Sequence, residues 1–123
     1  MKIRSHKDLD VNKMSFDAAM KIFEISKKFP REETYSLTDQ IRRSSRSVCS
    51  NLAEAFRKRR YPKAFIAKLS DSEGEAAETQ TWLDFALNCK YITPEEQNEL
   101  NSTYENILGK IVTMSIHPEN WSW

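Results

Sequence analysis

The chain has 123 residues and a formal net charge of +1 at pH 7, so it suits one domain and its net charge favours neither anionic nor cationic partners. Its 2 glycines and 4 prolines are too few turn formers for a sheet protein with many hairpins, which indicates an all-α fold. Neither cysteine has metal-ligand spacing, and no apolar run reaches the roughly 18 residues that cross a membrane. We expect a cytoplasmic protein without a disulfide, signal peptide or membrane contact.

The first predicted helix, at about residues 10–29, carries two apolar sides. One side is a core-facing stripe at helical spacing: Val11, Met14, Ala18, Ile22, Ile25 and Phe29. Phe16 and Phe23 lie on a different side of the same helix. The helix should end near Pro30, because proline disfavours the α conformation in the residue before it.

The second predicted helix, at about residues 37–59, has an apolar face and a separate arginine stripe. The apolar face consists of Leu37, Ile41, Ser44, Ser45, Val48, Leu52, Ala55 and Phe56. The stripe consists of Arg42, Arg46, Arg57 and Arg60. One face therefore needs a core, while the other needs anions or carboxylates.

The third predicted helix, at about residues 62–90, begins with Pro62, whose missing N–H suits a first helical turn. Its main face consists of Phe65, Leu69, Ser72, Ala76, Thr79, Leu83 and Leu87. Trp82 and Phe85 lie on other sides, so we expect the second half of this helix to be buried nearly all round.

The fourth predicted helix, at about residues 94–116, begins with the clearest local signal in the chain. Thr93-Pro94-Glu95-Glu96 is a capping box with proline at the first helical position. Pro118 should end the helix, and Trp121 and Trp123 follow in the tail. The single domain is therefore an up-and-down antiparallel bundle of four long helices.

The sequence contains no residue pattern that is typical of catalysis. A serine or cysteine nucleophile needs a base, and the two histidines, His6 and His117, lie at opposite ends of the chain. Glu75 and Glu78 have the spacing of a bundle di-iron site without its histidine. We expect no enzyme activity, no catalytic residue, no cofactor and no metal site.

Several separated segments carry a family resemblance. They are KDLDV at 7–11, SLTDQIRRSS at 36–45, SNLAEAF at 50–56, KAFIAKL at 63–69, EAAETQTWL at 75–83 and PENW at 118–121. In order and spacing they resemble the four-helix-bundle proteins related to the 23S ribosomal RNA intervening-sequence protein, also called the S23 family. One departure is Asn12, where the family commonly has tryptophan.

The resemblance implies a bundle that assembles into rings, typically homopentamers, without an established biochemical activity. It also implies kinship with the pentameric accessory proteins of diversity-generating retroelements, which bind nucleic acid and a reverse transcriptase. The family's name reflects gene location more than a demonstrated role. The resemblance therefore specifies fold and assembly more closely than function.

Two hypotheses account for the basic residues. In the first, an oligomeric, non-enzymatic scaffold binds the RNA or DNA backbone through an arginine-rich face. Its candidate contacts are Arg42, Arg43, Arg46, Arg57, Lys58, Arg59, Arg60 and Lys63. In the second, the chain is a protein-protein interaction module without nucleic-acid affinity, and its arginines form salt bridges with acidic rows on the third and fourth helices. Those rows contain Asp71, Glu75, Glu78, Glu95, Glu96 and Glu99.

The surplus of large apolar side chains predicts self-association independently of the family. One small four-helix core cannot absorb all of them, and soluble monomers rarely expose such surface. The candidate interface residues are Phe16, Phe23, Trp82, Phe85 and Trp121, with Trp123 as a further member of the surplus. Aromatic anchors of this kind are typical of interface centres.

Overall fold

The computed structural model describes residues 5–121, and within that range the chain folds into four α-helices without a strand. The helices are α1 (Asp10–Ser26), α2 (Leu37–Arg57), α3 (Pro62–Asn88) and α4 (Pro94–Ile116). Short 3₁₀ turns lie at His6–Asp8, Arg31–Glu33 and Pro118–Asn120. The all-α prediction is confirmed, whereas the surplus residue Trp123 lies outside the described part of the chain.

Each helix packs against its neighbours in sequence, and α1 also contacts α4, which closes the bundle. Buried hydroxyls show the direction of α3 relative to α2. Ser72 Oγ donates to the Val48 carbonyl at 2.9 Å, and Thr79 Oγ1 donates to Ser44 Oγ at 2.8 Å. Because the α3 numbers rise while the α2 numbers fall, these two helices are antiparallel.

The core runs along the bundle axis and uses the faces that the sequence pattern predicted. Its largest fully buried side chains include Phe65, Leu69, Leu83 and Tyr104. The small residues Ser44, Ser72 and Thr79 are buried between α2 and α3, and their hydroxyls form hydrogen bonds between the two helices. Buried polar groups thus add hydrogen bonds to the α2–α3 contact without leaving these hydroxyls unpaired.

The helix ends differ from the predicted ends by a few residues. α1 ends at Ser26 because the N–H groups of residues 27–29 bond to carbonyls three residues earlier, which tightens the last turn into 3₁₀ geometry. α2 ends at Arg57 and α3 at Asn88, each two residues before the predicted position. The capping box that begins α4 is present: Thr93 Oγ1 accepts from the Glu96 N–H at 3.1 Å, and Glu96 Oε1 accepts from the Thr93 N–H at 2.9 Å.

Lys90 reverses the chain after α3 in a conformation that glycine normally supplies. Its φ is 65°, in the left-handed region. The Lys90 N–H bonds to the Leu87 carbonyl and the Tyr91 N–H to the Ala86 carbonyl, each at 2.9 Å, which is the Schellman pattern. Among the described residues, no helix is both long and apolar enough to cross a membrane.

Candidate functional site

The eight candidate basic residues fall into two groups rather than one continuous stripe. Arg42, Arg43 and Arg46 lie in the first half of α2, beside α1. The other five occupy the end of α2, the connection to α3 and the first turn of α3. Fifteen residues separate Arg42 from Arg57, which places about 22 Å of helix between the groups.

The first group is organised around Phe23 of α1. Arg42 Nε donates to Ser26 Oγ at 2.8 Å, and the Arg42 guanidinium carbon lies 4.8 Å from the centre of the Phe23 ring. Arg46 reaches the same ring at 5.8 Å, and Lys27 Nζ lies 4.8 Å from it. Arg42 and Arg46, predicted to contact nucleic acid, therefore contact Phe23, which was predicted to lie in a subunit interface.

The acidic rows pair with lysines in the ion pairs found between residues 5 and 121. The pairs are Lys21 with Glu99 at 3.1 Å, Lys28 with Glu96 at 3.2 Å and Lys68 with Asp71 at 3.9 Å. Arg43 lies 3.7 Å from Asp39 on its own helix. Within one chain, three of the six acidic-row carboxylates thus pair with lysines rather than arginines.

The second group presents four exposed cations at one end of the bundle, and we call them the turn cluster. Its members are Arg57, Lys58, Arg60 and Lys63. They follow from local sequence: cations are favoured at the end of α2, where they complement the carbonyl end of the helix dipole, and Pro62 then begins α3. Positive charge is therefore concentrated at a chain reversal.

Arg59 lies within the same run but is buried. Its Nη1 donates to the Phe56 carbonyl at 2.8 Å, and its guanidinium carbon lies 3.7 Å from the centre of the Phe56 ring. Burial lowers the pKa of Arg59, and the neighbouring charges of Arg57 and Arg60 lower it further. Packing against the end of α2 therefore takes this guanidinium out of the exposed surface.

Tyr61 is the residue of this region that the sequence reasoning missed. Its side chain is 60% exposed, and the Arg60 guanidinium carbon lies 5.6 Å from its ring centre. The available signal was Pro62, because a residue before proline is extended, and Tyr61 has φ −113° and ψ 93°. An aromatic ring therefore projects from the turn among the cations.

The candidate interface residues differ in exposure. Phe16 is 60% and Phe85 54% exposed, whereas Trp82 and Trp121 are half-buried against the core. The expectation that α3 is buried nearly all round near its end is therefore wrong at Phe85. This ring projects beside Trp82, with 5.8 Å between the ring centres.

The two exposed phenylalanines lie on different faces of the bundle. Phe16 lines a groove between α1 and α2 together with Met20 and Cys49. Phe85 lines another groove beside the start of α2, where Glu33 supplies a carboxylate. The chain thus has two separate aromatic patches, one with cations at its rim and one with an acid.

Asn12, the departure from the family pattern, is buried at the edge of a cavity of about 570 Å³ that includes Phe16 and Cys49. Its Oδ1 finds no hydrogen-bond partner among the described residues.

Burial raises the pKa of the Cys49 thiol to about 11, so this thiol is protonated at neutral pH. Cys89, in contrast, is exposed. Between residues 5 and 121, no three His, Cys, Asp or Glu side chains are grouped to hold a metal ion.

A family model described as 23S rRNA-intervening sequence protein matches residues 7–113. The fold is similar to the crystal structure, at 1.70 Å resolution, of a protein with unknown function from the S23 ribosomal protein family of Bacteroides thetaiotaomicron. The two chains share 28% sequence identity with a TM-score of 0.77, and the match covers 85% of this chain and 97% of that chain. A search of curated proteins finds no match.

Proposed function

Since this chain belongs to the family of 23S rRNA-intervening sequence proteins, we propose that it is a non-enzymatic helical scaffold that forms a ring and binds the RNA or DNA backbone. The observation that carries the proposal is the turn cluster, with four exposed cations within residues 57–63. This choice moves the binding surface away from Arg42 and Arg46, which lie against Phe23.

Electrostatics supports the turn cluster as a phosphate-binding surface. Among the described residues, Arg57, Lys58 and Lys63 form no ion pair with a carboxylate, so their charge is available to phosphate. Each phosphate contact releases counterions, and the binding constant therefore falls as salt concentration rises. Contacts to the backbone alone carry no base sequence, so we expect similar affinity for different sequences.

The test replaces three cations of the turn cluster in Arg57→Gln/Lys58→Gln/Lys63→Gln and measures RNA binding by fluorescence anisotropy. We expect the logarithm of the binding constant to depend less steeply on the logarithm of salt concentration, by about 2 units, since each contact contributes about 0.7 on single strands. Unchanged affinity and salt dependence would contradict the proposal that the turn cluster binds nucleic acid.

A charge-matched control removes three cations from the other end of the bundle, in Lys28→Gln/Arg31→Gln/Lys90→Gln. All three side chains are exposed, so the net charge changes equally. We expect this control to retain most of the affinity. Equal losses in both triple variants would mean that overall charge, rather than the turn cluster, drives binding.

Self-association is supported by the two aromatic patches. A contact between unlike patches on two copies is heterologous and generates a ring when the rotation closes. The cations around Phe23 and the Glu33 carboxylate near Phe85 give the patches opposite charge. Five copies is the number that the family resemblance implies, and five turn clusters would multiply weak phosphate contacts through avidity.

The oligomeric state is tested by light scattering on Phe16→Asp and Phe85→Asp. Both side chains are more than half exposed, so the fold of one subunit should survive, as circular dichroism will check. We expect each variant to fall to the mass of one chain, while Tyr35→Asp, at a side chain that is 94% exposed, keeps the wild-type mass. A monomeric wild-type protein at micromolar concentration would contradict the ring.

A protein-interaction module is the second candidate, because the arginines in the first half of α2 are engaged within the chain. Arg42 and Arg46 contact Phe23, and Arg43 pairs with Asp39. A ring that forms normally but shows no salt-dependent affinity for RNA or DNA would favour this candidate. A pull-down that survives nuclease treatment would then identify its partners.

A further inference from the structure

The turn cluster includes an aromatic ring as well as cations. Tyr61 is 60% exposed, and the cations at positions 57, 58, 60 and 63 surround it in sequence. The ring lies in the connection between α2 and α3, at one end of the bundle. With 60% of the residue exposed, the ring leaves room for a flat partner beside the Arg60 guanidinium, whose carbon lies 5.6 Å from the ring centre.

The backbone holds Tyr61 in place although its side chain is exposed. The Tyr61 N–H donates to the Lys58 carbonyl at 2.9 Å, and the Tyr61 carbonyl accepts from the Phe65 N–H at 2.9 Å. Pro62 restricts the conformation further. Because both sides of the residue are fixed, a partner that stacks on the ring loses less entropy than one that orders a mobile loop.

We propose that Tyr61 is a base-stacking platform, which makes the turn cluster prefer unpaired nucleotides over duplex. Bases in single strands can turn outward and stack on aromatic rings, whereas duplex bases already stack within the helix. In either form, the phosphates contact Arg57, Lys58 and Lys63. The Tyr61 ring therefore accounts for the difference in affinity between single strand and duplex. This inference rests on the proposed function and names the class of nucleic acid that the same surface takes.

The test compares Tyr61→Ala with wild type on a labelled, unstructured RNA of about 20 nucleotides and on a duplex of equal length. Stacking on one ring contributes enough for Tyr61→Ala to weaken single-strand binding by roughly 5- to 150-fold. Duplex affinity should change less than about twofold, since phosphate contacts remain. Tyr61→Phe keeps the ring and should restore single-strand affinity.

Tyr35→Ala provides a matched control, because Tyr35 is 94% exposed and lies at the opposite end of the bundle. Unchanged single-strand affinity in Tyr61→Ala, or an equal loss on duplex, would overturn the stacking role. The salt dependence separates the two proposals: Tyr61→Ala should leave it unchanged, whereas the triple variant of the turn cluster reduces it. If only the triple variant loses binding, the proposed function stands and the stacking platform does not.

Discussion

Removal of the Tyr104 hydroxyl should stabilise the protein, contrary to the usual effect of a core substitution. Tyr104 is fully buried, and its hydroxyl has no hydrogen-bond partner among the described residues. Burial raises the pKa of this hydroxyl, and the nearby Cys49 adds to the shift, so the group is neutral throughout the working pH range. An unpaired buried hydroxyl costs about 1–3 kcal/mol relative to its hydrated state.

Tyr104→Phe keeps the ring in place and removes only the oxygen. Some of the gain is offset by the small void that the oxygen leaves, so we expect about 1 kcal/mol of added stability. For a domain of this size, that corresponds to a rise in melting temperature of about 3–5 °C. Urea denaturation followed by circular dichroism gives the same quantity, provided that the slope with denaturant is unchanged.

Tyr35→Phe is the control, because its exposed hydroxyl is hydrated in both the folded and unfolded states. We expect it to alter the free energy of unfolding by no more than about 0.5 kcal/mol. A loss of stability in Tyr104→Phe would refute the reasoning. It would mean that the hydroxyl donates or accepts a hydrogen bond in solution.

Three further predictions concern groups away from the turn cluster. At pH 8, iodoacetamide should label the exposed Cys89 first and Cys49 about 100-fold more slowly than a thiol of unshifted pKa, since burial raises the pKa of Cys49 to about 11; equal rates by mass spectrometry would contradict this. The hydrogen bond to Glu33 raises the pKa of Tyr91 to about 12, so the stability that this bond contributes is complete below the unfolded pKa of about 10 and is lost as pH rises through 12. In Tyr91→Phe, the free energy of unfolding in urea should therefore depend less on pH between about 10 and about 12, and an unchanged pH dependence would contradict this. Lys90→Gly should raise the free energy of unfolding by up to about 1 kcal/mol by relieving the left-handed conformation, and a loss in thermal denaturation would count against that strain.

The helices and the α4 cap were predictable because their signals are local. Apolar spacing specified the buried faces of α2 and α3, and the four residues from Thr93 to Glu96 contain both partners of the cap. The end of α1 was placed late at Phe29, since Pro30 marks where a helix must stop but not where its last turn tightens.

The candidate surface was less predictable because its geometry depends on non-local contacts. Helical spacing grouped Arg42 with Arg57, but a phenylalanine on α1 engages the first and leaves the second exposed. Burial of Arg59 depends on how the chain turns after α2. The expectations of a ring, of nucleic-acid binding and of a protein partner remain predictions, and the exposure of Phe16 and Phe85 is compatible with the first.

The two seams of the bundle differ in a way that should govern how the molecule comes apart. α1 and the turn after it meet α4 partly through solvent-accessible lysine–glutamate pairs at 3.1 and 3.2 Å, whereas α2 meets α3 through buried hydroxyl bonds. Dissolved ions screen exposed pairs and leave buried bonds almost untouched. Native-state hydrogen exchange at rising ionic strength should therefore show the outer amides of α1 losing protection early, with the central hairpin as the last cooperative unit to open.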